Sequence, residues 1–292
     1  MAGNLKKLKL EDGRILGYRE YGDPAGIPII NNHGGLVCGR DVETAHSEAL
    51  KLGLRLISPN RPGVGVSSKL AGRRTLDWAK DVEQLVDFLK VEHFHALGWS
   101  MGGQYALACG AHFSARVRSI TIIAGAVPLD DEKTLQELNQ SDRTFTRLCR
   151  EQPGRAAFTF RLMRWLALLM PKSFLHIITR DFSPPDESVL HQISIGRFAA
   201  WYIEATQQIA GTIEEYRAWA RPWGFALKDI YAPVTVYRAP SDTLIPESWA
   251  QRIAAEVPRG TYLPQANGGH FFAQVHWRPV LEKIANSHSF AP

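Results

Sequence analysis

With 292 residues, 45% of them hydrophobic, the chain is long enough to build one large core. Its 34 basic and 29 acidic residues leave a formal net charge of only +5, with no lysine or arginine run longer than two, which argues against a nucleic-acid-binding protein. The three cysteines, Cys38, Cys109 and Cys149, are widely spaced, which excludes a disulfide framework and a Cys-x-x-Cys metal site and fits a reducing cytosol.

The sequence contains no segment typical of secretion or of a membrane span. Residues 1–12 carry charges but no apolar signal core. The most apolar stretch, 156–170, is interrupted by Arg161 and Arg164 and is too short to cross a bilayer. We therefore expect a cytoplasmic protein that binds no membrane and whose partner is a small-molecule substrate. Whether it is a monomer or a dimer stays open.

Strand and helix patterns alternate through the first part of the chain. Short apolar or alternating runs typical of strands lie at 5–10, 14–21, 27–31, 54–58, 94–97 and 118–124. Helical patterns lie at 44–52, 76–90 and 104–109. This alternation predicts right-handed crossovers and a mostly parallel sheet.

The turn Gly98-Trp99-Ser100-Met101-Gly102 joins the strand at 94–97 to the helical segment that follows. Glycines at both ends relieve crowding where a strand reverses directly into a helix. The pattern Gly-x-Ser-x-Gly in this setting is typical of a nucleophile elbow. The helix also directs N–H groups and its positive dipole end at the serine. We predict that Ser100 is a nucleophile and that the N–H of Met101 contributes to an oxyanion hole.

A second glycine-rich turn, His33-Gly34-Gly35-Leu36, follows the strand at 27–31. An oxyanion hole needs a second backbone N–H from the loop after such a strand, and glycines let the backbone approach a substrate. A plain glycine-rich turn without chemistry is the alternative. Residues 60–68 form a further turn-rich connector, which lacks the lysine and spacing of a phosphate-binding loop.

Strand patterns stop between residues 128 and 223, where only helical patterns are evident. They lie at 135–148, 156–170 and 198–209. Because strand patterns resume afterwards, we predict a helical lid, 128–223, inserted into a core formed by 1–127 and 224–292. Residues 143–180 carry eight basic and one acidic residue, whereas 181–215 carry six acidic and one basic. We expect these two halves of the lid to face each other, and a lid whose arginines, among them Arg161 and Arg164, bind an anionic substrate is the alternative.

The base and acid that a serine nucleophile needs lie in the last part of the chain. Asp242 follows the strand pattern at 232–237, at the strand end where sites in open sheets are built. His270 lies in a glycine-containing loop after the strand at 260–263. The order serine, acid, histidine is that of a nucleophile-elbow hydrolase. Glu247 is the rival carboxylate.

Together these motifs resemble the α/β-hydrolase fold family. The resemblance rests on the elbow at 98–103, on His33-Gly34-Gly35, Arg61-Pro62-Gly63, Ser241-Asp242 and Gly269-His270. It implies an α/β fold with a mostly parallel eight-stranded sheet flanked by helices and an inserted helical lid. It also implies a Ser100–His270–Asp242 triad, and an oxyanion hole from Gly35 and Met101 with Leu36 as a weaker candidate. It implies no metal and no cofactor. Asn60 departs from the aspartate usual at that position.

A serine at the elbow favours acyl transfer through a covalent acyl-enzyme, on an ester, thioester, lactone or activated amide. We expect a small apolar substrate in a pocket formed by His33, Gly34, Leu36, Trp99, Trp165, Trp201, Ile245 and Phe271. Two alternatives stay open. One is a carbon–carbon bond hydrolase with the same triad, and the other is a weakly active small-ligand receptor of the same fold.

Overall fold

The computed structural model describes residues 3–288 and is built on one eight-stranded sheet. The strands are β1 (Lys6–Lys9), β2 (Ile15–Gly22), β3 (Ile27–Asn32), β4 (Leu54–Pro59), β5 (Phe94–Trp99), β6 (Val117–Ile123), β7 (Val234–Arg238) and β8 (Gly260–Pro264). They lie in the order β1-β2-β4-β3-β5-β6-β7-β8. The pairs β1–β2 and β2–β4 are antiparallel and all other pairs are parallel. The predicted mostly parallel eight-stranded sheet is confirmed.

The central strands carry buried apolar side chains on both faces of the sheet. Ile30 and Ile57 belong to one core cluster, whereas their neighbours Ile29 and Leu56 belong to another. Successive residues of a strand point to opposite faces, so a strand covered on both faces must be apolar at consecutive positions. Each face is therefore covered by helices.

The helices fall into three groups along the chain. Before the lid lie α1 (His46–Lys51), α2 (Asp77–Phe88) and α3 (Gly102–His112). Between β6 and β7 lie α4 (Glu132–Glu137), α5 (Gln140–Glu151), α6 (Pro153–Leu169), α7 (Pro171–Ile178), α8 (Pro184–Ile193), α9 (Ile195–Ala205) and α10 (Ile209–Trp219). After the lid lie α11 (Glu247–Glu256) and α12 (Trp277–His288). Short 3-10 turns occur at Glu43–Ala45, Leu227–Asp229 and Phe272–Val275.

The lid segment is divided more finely than its apolar pattern predicts. The helix expected over 135–148 is interrupted at Leu138, whose ψ of 152° is extended, and Asn139 then caps α5 by accepting the N–H of Asp142 at 2.9 Å. The helices α7 and α8 were not predicted. Each is at most ten residues long, which leaves few positions to show a helical period in the sequence. Each also begins with proline, which is favourable in the first turn of a helix.

The buried glutamates of the acidic half pair with the core, and the ion pair between the two halves joins only the sequence neighbours Arg180 and Asp181 among the described residues, which corrects the expectation from charge. Glu215 binds Arg61 and Arg73, and Glu204 binds Arg19, all across the boundary between lid and core. These core arginines lie outside residues 143–215, over which the charges were compared. The charge count of the lid alone therefore predicted the wrong partners for its glutamates. Among residues 3–288, no helix combines the length and apolarity that crossing a membrane requires.

Candidate active site

Ser100 lies at the sharp turn between β5 and α3. Its φ of +54° is in the left-handed region, which is strained for a residue with a side chain. The turn closes because its flanking residues have no Cβ: one on Gly98 would lie 2.5 Å from the carbonyl oxygen of Gly102, and one on Gly102 would overlap the carbonyl of Asn32. The glycine spacing thus produces the elbow geometry that the sequence predicts.

Asp242 and His270 form a buried pair beside this turn. The Nδ1 of His270 lies 3.0 Å from the Oδ2 of Asp242. The other carboxylate oxygen accepts the backbone N–H groups of Leu244 at 2.9 Å and Ile245 at 3.0 Å, which fixes its orientation. With its Nδ1 proton donated to Asp242, the imidazole keeps a lone pair at Nε2. The pair can therefore hold a base ready to accept a proton.

The pKa of His270 reflects two opposing effects. Burial alone would lower the pKa of the imidazole, but the Asp242 carboxylate, with smaller contributions from Asp186 and Asp142, holds it above its ordinary value. Asp186 and Asp142 both lie on lid helices and were missed in the sequence. Asp186 accepts the N–H of Phe271 at 2.8 Å, which anchors the histidine loop to α8.

A helix-start signal at Asp186 is present in the sequence, because Ser183 precedes it by three residues, the spacing of a capping box. The Ser183 hydroxyl donates to the Asp186 carboxylate at 2.8 Å. That signal could have located α8. It could not have revealed the contact with the histidine loop.

The glycine-rich loop after β3 lies against the elbow. A Cβ on Gly35 would be 3.0 Å from the Met101 side chain, so the two predicted oxyanion donors belong to adjacent residues in space. Both line the same cavity as Ser100 and His270. Leu36, the weaker candidate, also lines the cavity and has a φ of +55°.

Arg61 holds this loop from behind. Its guanidinium donates to the carbonyl oxygens of His33 at 2.5 Å and Gly34 at 3.0 Å, and to the carboxylate of Glu215 at 2.7 Å. Arg73 donates to the same carboxylate. Burial alone would raise the pKa of Glu215, but the two guanidinium groups hold it at about 2. The loop that carries Gly35 is thus tied through Arg61 to α10 of the lid.

His33 supports the loop as a neutral side chain. Burial and the nearby Arg61 lower the pKa of its imidazole to about 3. Its Nε2 accepts the backbone N–H of Arg61 at 3.2 Å. The ring is therefore committed to orienting the loop.

A cavity of about 410 Å³ opens onto Ser100 and His270. Apolar side chains from the core and the lid form much of its wall: Leu36, Val37, Trp99, Phe145, Met163, Ile177, Ile178, Phe182, Phe198, Tyr202, Trp219, Leu244 and Phe271. Polar groups come mainly from the start of α5 and the end of α7. Lid and core together enclose the site.

Three of the predicted pocket residues, Leu36, Trp99 and Phe271, line this cavity. The predictions for Trp165 and Trp201 are wrong. Trp165 is 51% exposed on the outer side of α6, because the face of that helix that carries Met163 turns towards the cavity instead.

Trp201 is fully buried between the lid and the core, where its indole N–H donates to the core residue Glu43 at 2.9 Å. The predictions for His33, Gly34 and Ile245 are wrong as well. These residues lie behind the cavity wall: a Cβ on Gly34 would be 2.8 Å from the Trp99 ring, and Ile245 is buried beside Asp242. They shape the site without lining it.

In the part of the chain that the structure describes, no group of three or more His, Cys, Asp or Glu side chains is arranged to hold a metal ion.

Comparisons with known proteins agree with this architecture. Residues 27–276 match the family described as alpha/beta hydrolase fold. An uncharacterized hydrolase of Bacillus subtilis (strain 168), YcgS, is 30% identical over 132 residues, which cover 44% of this chain and 45% of that protein. The chain therefore matches less than half the length of this curated relative.

Two solved structures cover almost the whole chain. A thermophilic esterase from Thermogutta terrifontis has a TM-score of 0.70 and 18% identity, with 97% of each chain covered. The enol-lactonase from Burkholderia xenovorans LB400 has a TM-score of 0.73 and 15% identity, with 97% of this chain and 100% of that chain covered. At such identities the likeness shows the fold.

Proposed function

The chain belongs to the alpha/beta hydrolase fold family, and we propose that it is a serine hydrolase. The proposed reaction is cleavage of a carboxylic ester-type bond of a small, largely apolar substrate, through an acyl-enzyme on Ser100. The observation that carries this proposal is the buried Asp242–His270 pair, whose histidine lines the same cavity as a serine on a strained turn.

The proposed mechanism has two halves. In the first, the Ser100 hydroxyl attacks the substrate carbonyl while the Nε2 of His270 accepts its proton, and the N–H groups of Met101 and Gly35 stabilise the negative oxygen. His270 then donates the proton to the leaving alcohol. In the second half, a water molecule activated by His270 attacks the acyl-enzyme and releases the acid. Asp242 stabilises the imidazolium in both halves.

A labelling experiment tests the nucleophile. A fluorophosphonate should modify Ser100, and a panel of aryl esters of varied chain length should be hydrolysed. Ser100→Ala should lower turnover by roughly 10⁵- to 10⁶-fold without changing the melting temperature appreciably. Near-native esterase activity in that variant would remove Ser100 from this role.

The same experiment separates the alternatives. A protein that is not labelled and hydrolyses none of the esters would be a small-ligand receptor of this fold. A protein that cleaves a vinylogous diketone acid but no simple ester would be a carbon–carbon bond hydrolase.

A further inference from the structure

The start of α5 places a carboxylate without a cationic partner in the wall of the catalytic cavity. Asp142 lines the cavity, and its two oxygens accept hydrogen bonds from the Tyr216 hydroxyl at 3.2 Å and the Asn139 amide at 2.9 Å. An ionised carboxylate offers about four acceptor positions, so acceptor capacity remains. Among residues 3–288, no basic nitrogen lies within 4.0 Å of this carboxylate.

Three hydroxyl groups on the same wall use their protons in hydrogen bonds within the protein. Tyr216 donates to Asp142, the Thr144 hydroxyl donates to the carbonyl of Gln140 at 2.7 Å, and the Thr159 hydroxyl donates to the carbonyl of Arg155 at 3.0 Å. Towards a ligand, these three oxygens can only accept. Together with Asp142 they form a patch that favours a hydrogen-bond donor on the ligand, whereas the indole N–H of Trp219, elsewhere on the wall, has no hydrogen-bond partner among the described residues.

Two further wall residues carry charge, and they lie next to each other. Asp181 adds a second carboxylate, which accepts the N–H of Ser141 at 3.0 Å. Arg180 is the neighbouring cation, but its side chain is 68% exposed and its Nε lies 3.9 Å from Asp181. The two charges of that pair thus largely balance each other, whereas the negative charge of Asp142 has no such cation beside it.

Asp142 and His270 line the same cavity, so the carboxylate acts on the imidazole. This carboxylate is one of the charges that raise the pKa of His270. Burial raises the pKa of Asp142 itself, against the lowering effect of its Asn139 and Tyr216 hydrogen bonds, so its anionic form is held at a free-energy cost. A cationic ligand at this point would relieve that cost.

We propose that the cavity selects esters that carry a hydrogen-bond-donating group, above all a primary ammonium, and that Asp142 is the specificity-determining residue that binds it. This inference rests on the proposed serine hydrolase function. It opposes selection of anionic substrates by Arg161 and Arg164: Arg161 is exposed and outside the cavity wall, and Arg164 donates to the carbonyl of Ile203.

Matched substrates test the preference. Aryl butyrates with a para –CH₂NH₃⁺, –CH₂OH or –CH₂CH₃ group place the donor on the alcohol side, and 4-nitrophenyl benzoates with the same para groups place it on the acyl side. None of these rigid esters can cyclise. In at least one series, kcat/KM should be roughly 10- to 100-fold higher for the ammonium ester than for its ethyl analogue, the range expected for a hydrogen bond to a charged group. The hydroxymethyl ester should lie between them.

The variant Asp142→Asn removes the charge at nearly constant shape. It should abolish the ammonium preference, which is measured within each protein as the ratio of kcat/KM for the ammonium ester to kcat/KM for its ethyl analogue, so that a change in the basal activity of the variant cancels. Glu151→Gln is the matched control, because it removes a carboxylate from the exposed end of the same helix, outside the cavity wall. It should leave the preference intact.

Failure of this inference can be told apart from failure of the proposed function. Turnover of the ethyl esters with no ammonium preference, or a preference that persists in Asp142→Asn, overturns the role of Asp142 and leaves the hydrolase intact. If no ester is hydrolysed and fluorophosphonate fails to label Ser100, a binding measurement still tests the role of Asp142. Calorimetry with 4-methylbenzylammonium should then show a dissociation constant at least tenfold lower for Ser100→Ala than for the variant that also carries Asp142→Asn, and equal constants would overturn it.

Discussion

At the scale of single residues, the site depends on side chains whose orientation is fixed by the backbone around them. Asp242 accepts two backbone N–H groups and holds His270, and the carbonyl of His270 in turn accepts the indole N–H of Trp99 at 3.0 Å. The Asp242 carboxylate cannot rotate without breaking three hydrogen bonds, and rotation of the His270 ring would break its bond to Asp242. Such preorganisation is what a triad needs, because the geometry must be set before the substrate arrives.

Replacing the acid tests its assignment. Asp242→Asn should keep the fold but favour the wrong tautomer of His270, which by analogy with other triads lowers turnover on the order of 10⁴-fold. The control is Glu247→Gln, because Glu247 lies on α11 and accepts the Tyr262 hydroxyl at 2.9 Å. That variant should hydrolyse aryl esters at a rate close to the unmodified protein. The reverse pattern in steady-state kinetics would assign the acid to Glu247.

The pH dependence follows from the raised pKa of His270. The imidazole must be neutral to accept the serine proton, so kcat/KM should fall as the pH decreases, with a midpoint above the ordinary value of 6.5. Asp142→Asn should move this acidic limb to lower pH, because it removes one of the charges that favour the imidazolium. A pH–rate profile measured with a neutral ester checks both, and a midpoint near pH 4 would identify a carboxylate as the titrating base.

At the scale of elements, the helix α10 and the loop after β3 are connected through one buried side chain. Arg61 is fully buried and divides its donors between Glu215 on the lid and the two carbonyls that precede Gly35. Loss of the lid carboxylate would therefore free the guanidinium to move, and the loop with it. This makes Glu215 a positioning residue for the proposed oxyanion hole.

Glu215→Gln should accordingly lower kcat more than it changes KM. We expect a decrease in kcat of roughly 10- to 100-fold, since displacements of about 1 Å at a reacting centre cost that much. Glu214→Gln is the neighbouring control, because Glu214 pairs with the partly exposed Arg221. Steady-state kinetics below the melting temperature of each variant give the two constants. An unchanged kcat in Glu215→Gln would leave that carboxylate with a purely structural role.

At the scale of the whole molecule, buried ion pairs fasten the lid to the core. Glu215 with Arg61 and Arg73 forms the most deeply buried of them, and Glu204 with Arg19 forms a second. The pKa of Glu215 is about 2 in the folded protein, below its ordinary value of 4.5. Its contribution to stability is therefore complete above pH 4.5 and is lost as the pH falls from there towards 2.

This predicts a distinct acid dependence of the free energy of unfolding. At neutral pH, Glu215→Gln should destabilise the fold by roughly 3–5 kcal/mol, the cost of removing one partner of a buried pair. The difference from the unmodified protein should shrink as the pH is lowered through 4.5 towards 2. Urea unfolding at a series of pH values measures it. Glu256→Gln, which breaks an exposed pair with Arg252, should differ little at any pH, and a constant difference for Glu215→Gln would contradict the assigned pKa.

The sequence by itself determined the sheet, its strand count and the family, since these follow from local patterns. Runs apolar at consecutive positions indicate strands covered on both faces, and the glycines at 98 and 102 permit the tight turn around Ser100, where a Cβ would clash. The expected proximity of Ser100, Asp242 and His270 then follows from the fold, because parallel strands bring their carboxyl ends to one edge. The triad stays a prediction until kinetics test it.

Only the tertiary structure decided which lid residues meet the cavity. Trp165 and Trp201 are both aromatic lid residues, yet one is half exposed and the other is buried away from the site, because helix rotation and packing angle are set by partners far away in the chain. The same cause hid Asp142 and Glu215, whose carboxylates acquire their roles from contacts 74 and 154 residues distant. A pattern of neighbouring residues carries no information about such contacts, since they exist only once the lid has packed on the core.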